Sequence, residues 1–237
     1  MGSFARLSDM SYKLYIGDYA YSSWSLRGWL LFEKFGISRK EVLIDFNDSA
    51  GVAAQLNEIA PAKTVPTAVM DGDIPISDSL AIAEELATRH PEAGLWPQDP
   101  RNRAVARTLA AEMHSGFTAL RGDCPMNLRT AYQDSNPHAE VLADLERLET
   151  IWAWARGVCG TQTPWLCGSY SAADAFFAPV AARIAGYNLP VSDDARAYVS
   201  AHLSDPAFKK WRALGLKIGD TLEWYKKPYP TMDWPES

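Results

Sequence analysis

Three serines crowd into four positions, Ser22, Ser23 and Ser25, within the stretch DYAYSSWSLRGWLL. They stand between an alternating apolar segment and an apolar run at helical spacing, where a helix should begin. Two chemistries fit a hydroxyl there. It can cap the helix by accepting from a free N–H of the first turn, or it can donate to an anion drawn to the positive helix end. A serine nucleophile fits poorly, because it needs an adjacent base and an orienting acid, and the chain has no GxSxG turn.

Four more groups of residues could do chemistry. Ser79 precedes the helical pattern LAIAEELATRH and offers the same two roles, cap or anion donor. Lys63, Thr64, Val65 and Pro66 lie in the loop-like APAKTVPTAV; Lys63 there is either solvated or a ligand contact, and an X–Pro bond is trans unless context dictates otherwise. Arg27, on the first turn of the first helix, either orients an acidic ligand or packs in a structural salt bridge. The stretch HSGFTALRGDCPMNLR, residues 114–129, gathers His114, Arg121, Cys124 and Arg129 near Phe117 and Met126. Those side chains either line a pocket or reduce to a core histidine and an inert buried thiol. Ser171-x-x-Asp174 reads as a capping box, so Asp174 should matter to folding before it matters to any reaction.

Other chemistries drop out. The four histidines form no HExxH pair, the three cysteines have no CxxC spacing, and neither GxGxxG nor a phosphate loop is present, so no metal or nucleotide is expected. A net charge of −6 without a basic stripe argues against nucleic acid. The odd cysteine count argues for a reducing compartment, and a cytoplasmic protein is expected. Residues 1–10 lack the apolar core of a signal peptide, and no run reaches the roughly 20 apolar residues of a membrane span.

The elements that must position these residues follow from periodicity. Lys13–Asp18 and Glu41–Phe46 alternate as strands around a helix that Gly36 closes, which makes a parallel βαβ unit. Gly51–Ile59 is a short helical candidate, Asp71-Gly72 marks a hairpin, and the helix after Ser79 completes the order βαβ, α, ββ, α. Beyond Trp96 only helical runs follow: Pro100–Leu120, Pro137–Val158, Ser171–Tyr187, Asp193–Leu203 and Pro206–Leu214. With 47% hydrophobic residues the chain can bury a sizeable core. The expected organisation is an extension at 1–10, an α/β domain at 11–91, an all-helical domain at 97–225 and a tail at 226–237, with HPEAGLWPQDP as the connector.

The segments SSWSLRGWLL, NEIAPAKTVPTAV, DGDIPISDSLAIAEEL and WLCGSYSAADAFFAPV together resemble the soluble glutathione transferase family over nearly the whole chain. The first is similar to the Ser-Ser-Cys-x-x-Arg signature of its zeta-like branch, with Trp24 in place of the cysteine. The resemblance implies a thioredoxin-like N-terminal domain, an all-helical C-terminal domain and a homodimer. It also implies glutathione as co-substrate and a small hydrophobic electrophile as second substrate. On the same ground Pro66 should follow a cis bond, with Val65 presenting its backbone to the peptide. Asp78 and Ser79 should hold the γ-glutamyl end, Lys63 and Thr64 should lie near the other carboxylate, and Trp24 should stand beside the peptide. His114, Phe117 and Arg121 should belong to the second-substrate pocket. The thiol-bearing loop of a thioredoxin-like fold here carries only hydroxyls, so Ser22 or Ser23 should stabilise the thiolate of bound glutathione. Matching the double serine points to Ser22, whereas counting back from Arg27 points to Ser23. A glutathione-dependent isomerase of the maleylacetoacetate type and a non-catalytic glutathione-binding protein are the alternatives.

Overall fold

A computed structural model describes residues 12–235; the expected extension at 1–10 lies outside them. The first half alternates strands and helices: β1 (Tyr12–Ile16), α1 (Ser23–Glu33), β2 (Arg39–Leu43), α2 (Gly51–Gln55), β3 (Thr67–Met70), β4 (Ile74–Ile76) and α3 (Ser79–Arg89). The sheet order is β2-β1-β3-β4. β1 and β2 run parallel from Tyr12↔Arg39 to Ile16↔Leu43, and β3 and β4 add antiparallel. This is the thioredoxin-like arrangement, with β1 central and buried on alternate residues.

α1 forms because Leu26, Trp29, Leu30, Leu31 and Phe32 bury fully, each burial stabilising by about 1.5–3 kcal/mol. Gly36, at φ +66, ends the segment where a left-handed residue is needed. Gly28 has a different reason. A Cβ there would lie 2.7 Å from Pro66 Cβ, so α1 can rest on the loop before β3 only through a glycine.

The second half holds α4 (Pro100–Ser115), α5 (Thr118–Asp123), α6 (Ala139–Cys159), α7 (Ala172–Gly186), α8 (Asp193–Ser204) and α9 (Pro206–Lys217). α7 is buried along nearly its whole length and forms the hub. The Ser171 and Asp174 capping box is present at its start, and Asp174 also accepts from Leu166 N and Tyr198 OH. α9 reaches back to the first half: Gly215 lies so close to the Ala20 backbone that a Cβ would stand 3.0 Å from Ala20 N.

Three expectations need correction. The second strand is Arg39–Leu43 rather than 41–46, because the chain leaves the sheet once Ile44 N has donated to Ile16 O. The run Pro100–Leu120 is two helices, since Gly116 N closes onto Glu112 O and Phe117 then takes a positive φ of 57°. The second half also contains strand pairing: β5 (Ala131–Tyr132) pairs antiparallel with β6 (Thr231–Met232), which ties the tail down.

Candidate active site

Ser22 is the N-cap of α1, and its hydroxyl is committed. It donates to Ser25 Oγ at 2.7 Å and accepts from Ser25 N at 3.3 Å, while Ser25 Oγ accepts from Gly17 N at 2.9 Å. Both side chains are buried, so the pair is a local network that fixes the strand-to-helix turn. Ser23, the first helical residue, is half-buried, and its Oγ accepts from Arg183 Nη2 at 3.2 Å. That bond uses an oxygen lone pair and leaves the Ser23 proton uncommitted.

Two cavities meet at this turn. One, of about 260 Å³, is framed by Ser22, Ser23, Trp24, Lys63, Thr64 and Val65. The other, of about 380 Å³, is framed by Ser23, Trp24, Arg121, Pro125, Met126 and Arg183. Tyr21, Ser23, Trp24 and Tyr225 belong to both walls. A larger cavity, of about 690 Å³ between the end of α1 and the start of α4, contains none of the site residues expected from sequence.

Val65–Pro66 is cis, and so is Ala60–Pro61. The loop is pinned because Thr67 Oγ1 donates to Thr64 O and shares a second hydrogen bond with the Ser77 hydroxyl, which supplies the hydrogen. Asp78, and not Ser79, is the N-cap of α3: its Oδ1 accepts from Leu80 N and Ala81 N. An aspartate one residue earlier fills the cap as well as serine does, and that frees the Ser79 hydroxyl. Ser79 is the first residue of α3, buried, with an Oγ that has no hydrogen-bond partner among the described residues. Neither Asp78 nor Ser79 lines the two cavities.

Of the three residues expected in a second pocket, Arg121 lines the 380 Å³ cavity, whereas His114 and Phe117 do not. His114 Nε2 instead sits 3.1 Å from Asp78 Oδ2, and its ring meets the edge of Trp24 at 5.3 Å. Phe117 is buried at the α4–α5 break. The residues singled out in 114–129 therefore split, with Arg121 and Met126 on the cavity and His114, Phe117 and Cys124 in the scaffold. Cys124 is buried, and burial pushes its thiol up to about 11, which leaves it unreactive.

The electrostatics are unusual. Arg27 is 1% exposed, its Nε and Nη1 have no hydrogen-bond partner among the described residues, and it stacks on Trp24 at 4.5 Å and Phe176 at 5.3 Å. Arg121 stacks on Trp24 at 4.7 Å, and Arg183 is 3% exposed. Among the described residues none of the three forms an ion pair with a carboxylate. Burial first, and then Arg183 and Arg121, hold Arg27 well below its usual range. Burial and Arg121 push Arg183 down to about 10. The salt-bridge alternative for Arg27 is thus not what is found. Two of these guanidiniums stack on the Trp24 indole and the third acts on Arg27 through space, opposed there only by Asp78 at a distance beyond an ion pair, a placement that favours an incoming anion.

Arg183 and Tyr225 are the residues that sequence reasoning missed. An arginine inside the apolar run AFFAPVAARIAG was a usable signal, because a charge in a helix buried all round must serve some partner. Tyr225, which stacks on Tyr21 at 4.8 Å, had none. Among the described residues, no cluster of His, Cys, Asp and Glu is placed to hold a metal ion, and no helix is long and apolar enough to cross a membrane.

Residues 21–89 match the family model "Glutathione S-transferase, N-terminal domain". A probable maleylacetoacetate isomerase of Caenorhabditis elegans is 46% identical over 67 residues, 28% of this chain and 31% of that protein. A maleylacetoacetate isomerase of Dictyostelium discoideum is 33% identical over 99 residues, 42% of this chain and 45% of that protein. The matches thus span less than half the length of these curated relatives. Among solved structures, a glutathione transferase homologue from Burkholderia with bound glutathione superposes with a TM-score of 0.65 at 21% identity, over 88% of this chain and 100% of that one. Glutathione transferase Omega 2S from Trametes versicolor gives 0.67 at 22% identity, over 88% and 97%. Residues 21–89 thus match the N-terminal domain of glutathione S-transferases, and both halves share the fold of solved glutathione transferases.

Proposed function

We propose that the chain binds glutathione in the groove framed by Lys63, Thr64, Val65 and Ser23, and activates the peptide's thiol for attack on an electrophile held in the adjoining cavity. One observation carries this reading. Ser23 stands on the wall common to both cavities with its proton uncommitted, whereas Ser22 spends its proton on Ser25. Ser23 is therefore the hydroxyl that donates to the sulfur, and Ser22 shapes the turn.

A free thiol titrates near 8.5 and is only a few per cent ionised at neutral pH. A donor hydroxyl at the positive end of α1 favours the thiolate. Each unit by which the thiol pKa falls corresponds to about 1.4 kcal/mol. The thiol proton leaves to solvent, Ser23 keeps its own, and the sulfur lone pair forms the C–S bond as the electrophile's leaving group departs with its electrons. Ser79, with its free hydroxyl at the start of α3, is assigned to the γ-glutamyl carboxylate, and His114 orients Asp78 beside it. The two chains of a homodimer belong to the same reading, checked by light scattering.

The arginines favour a second version. An uncompensated positive wall suits an acidic electrophile better than a neutral aryl halide, and the two curated relatives above are described as a probable maleylacetoacetate isomerase and a maleylacetoacetate isomerase. In that version the thiolate adds to a conjugated double bond of an unsaturated acid, the resulting single bond rotates, and the C–S bond breaks, so that glutathione is regenerated. Retention on immobilised glutathione, followed by turnover of an aryl halide, an organic peroxide and maleylacetone, separates the versions. Conversion of maleylacetone without loss of glutathione selects isomerisation, conjugation of the aryl halide selects transfer, and retention without any turnover leaves a binding protein.

A further inference from the structure

We infer that Arg183, on the buried helix of the second half, is the positioning residue that aims the Ser23 hydroxyl at the glutathione sulfur. The inference rests on the reading above, and it assigns a part of the thiol-activating device to the helical half of the molecule.

The geometry leaves Arg183 little freedom. Its Nε donates to Cys124 O at 2.9 Å and its Nη1 to Pro179 O at 3.3 Å, so the guanidinium plane is fixed by backbone on two sides. The remaining nitrogen, Nη2, donates to Ser23 Oγ at 3.2 Å. A guanidinium is a donor only, so the serine oxygen must be the acceptor and cannot turn its own hydrogen toward α7. The neighbouring hydroxyl of Ser22 is already bonded to Ser25. The direction left open to the Ser23 hydrogen is the wall of the two cavities.

A carboxylate partner would neutralise Arg183, but none pairs with it among the described residues. The charged and titratable groups around it are Arg27 on α1, Arg121 on α5, Cys124 after α5, Tyr187 just beyond its own helix and Tyr225 in the segment after α9. Two of these are cations and the others are uncharged at neutral pH. Its positive charge therefore reaches Ser23 uncompensated, polarises the O–H and strengthens the bond that the hydroxyl makes to a thiolate rather than to a thiol. This differs from a merely structural staple. A staple would hold the loop at Cys124 in place, whereas the Nη2–Oγ bond acts on an ionisation.

The test is the ultraviolet titration of the thiolate of glutathione bound to the full chain, in the parent and in Arg183→Gln, Arg183→Lys, Ser23→Ala and the Arg183→Gln/Ser23→Ala double variant. Arg183→Gln should raise the pKa of the bound thiol by about one unit, a roughly tenfold loss of thiolate near neutrality, and Arg183→Lys should recover part of the shift. The double variant should titrate like Ser23→Ala, because Arg183 acts through that hydroxyl. An unchanged titration in Arg183→Gln, or in Arg183→Lys should the glutamine variant not fold, overturns the inference. Additive shifts in the double variant also overturn it, since Arg183 would then act on the sulfur directly. If bound glutathione titrates like the free peptide in the parent chain, thiol activation itself falls, and the inference with it.

Discussion

Ser22 donates its hydroxyl hydrogen to Ser25 Oγ at 2.7 Å, whereas Ser23, one residue on, accepts from Arg183 and donates to no group among the described residues. Adjacent serines thus have opposite hydrogen-bond duties, and their alanine variants should fail differently. Ser22→Ala removes a cap and the Ser25 partner, which should lower stability by about 1 kcal/mol and leave turnover within a few fold. Ser23→Ala should keep stability and glutathione retention but lose about 10²-fold in kcat, the usual size for removing one donor to a developing anion. Chemical denaturation paired with initial rates checks both; two fully active variants would end the serine mechanism.

His202 supplies a pH dependence with a definite sign. It is fully buried between Trp165 at 5.2 Å and Tyr198 at 4.6 Å, and burial, aided by Lys34, pushes its pKa down to about 3. In the unfolded chain an imidazole titrates near 6.5. The unfolded state therefore binds a proton that the folded state refuses, so the contribution of His202 to stability is intact above about pH 6.5 and is lost as pH falls toward 3. The slope approaches about 1.4 kcal/mol per pH unit over that window. Burial raises the Asp174 carboxyl, which therefore titrates in acid as well, so the measurement is a difference: urea midpoints at pH 5 and pH 7 for the parent and for His202→Phe, with the smaller drop expected in the variant.

Much of this architecture was legible because single residues dictate it. Asp71-Gly72 marks the hairpin, Gly36 the end of α1, Ser171 and Asp174 the start of α7, and a period of two followed by 3.6 marks β1 and α1. The break at Phe117 was hidden, because Thr118–Asp123 continues the helical composition of α4 and only a backbone dihedral separates them. The two-residue strands β5 and β6 were hidden for the opposite reason: their partners stand a hundred residues apart and their length carries no periodicity. In the site, the local groups Ser22, Ser23, Lys63 and Val65 could be read from spacing and resemblance. Arg183 and Tyr225 reach it through tertiary folding, from α7 and from the segment after α9, which no local pattern connects to residue 23.

Gly28 couples the first helix to the loop that frames the proposed glutathione groove. A Cβ at this position would stand 2.7 Å from Pro66 Cβ and 2.8 Å from its Cγ, both inside any tolerable contact. Gly28→Ala must push α1 away from the loop that carries Lys63, Thr64 and Val65. Overpacking of this kind costs about 1–3 kcal/mol, and the displacement should weaken retention on immobilised glutathione even where the variant stays folded. Retention and thermal midpoint equal to those of the parent would show that the contact relaxes without moving the groove.

Asp205 joins the two halves of the molecule in two ways that substitution can separate. Its Oδ1 caps α9 by accepting from Ala207 N at 2.9 Å and Phe208 N at 3.4 Å, and its Oδ2 pairs with Lys34 at the end of α1. The aspartate side chain is 7% exposed and the lysine 19%, so the pair is screened less than a surface bridge. Lys34 also lies over the Tyr170 ring at 4.3 Å, which keeps it in place once the carboxylate is gone. Asp205→Asn retains a good cap and removes only the charge, so it should cost about 1 kcal/mol. Asp205→Ala removes cap and partner together, leaves Lys34 half-desolvated, and should cost about 2–4 kcal/mol. Urea unfolding of the two variants at low and high salt reads the division: the Asn deficit should shrink with salt, whereas the further loss in Ala, being a backbone cap, should not.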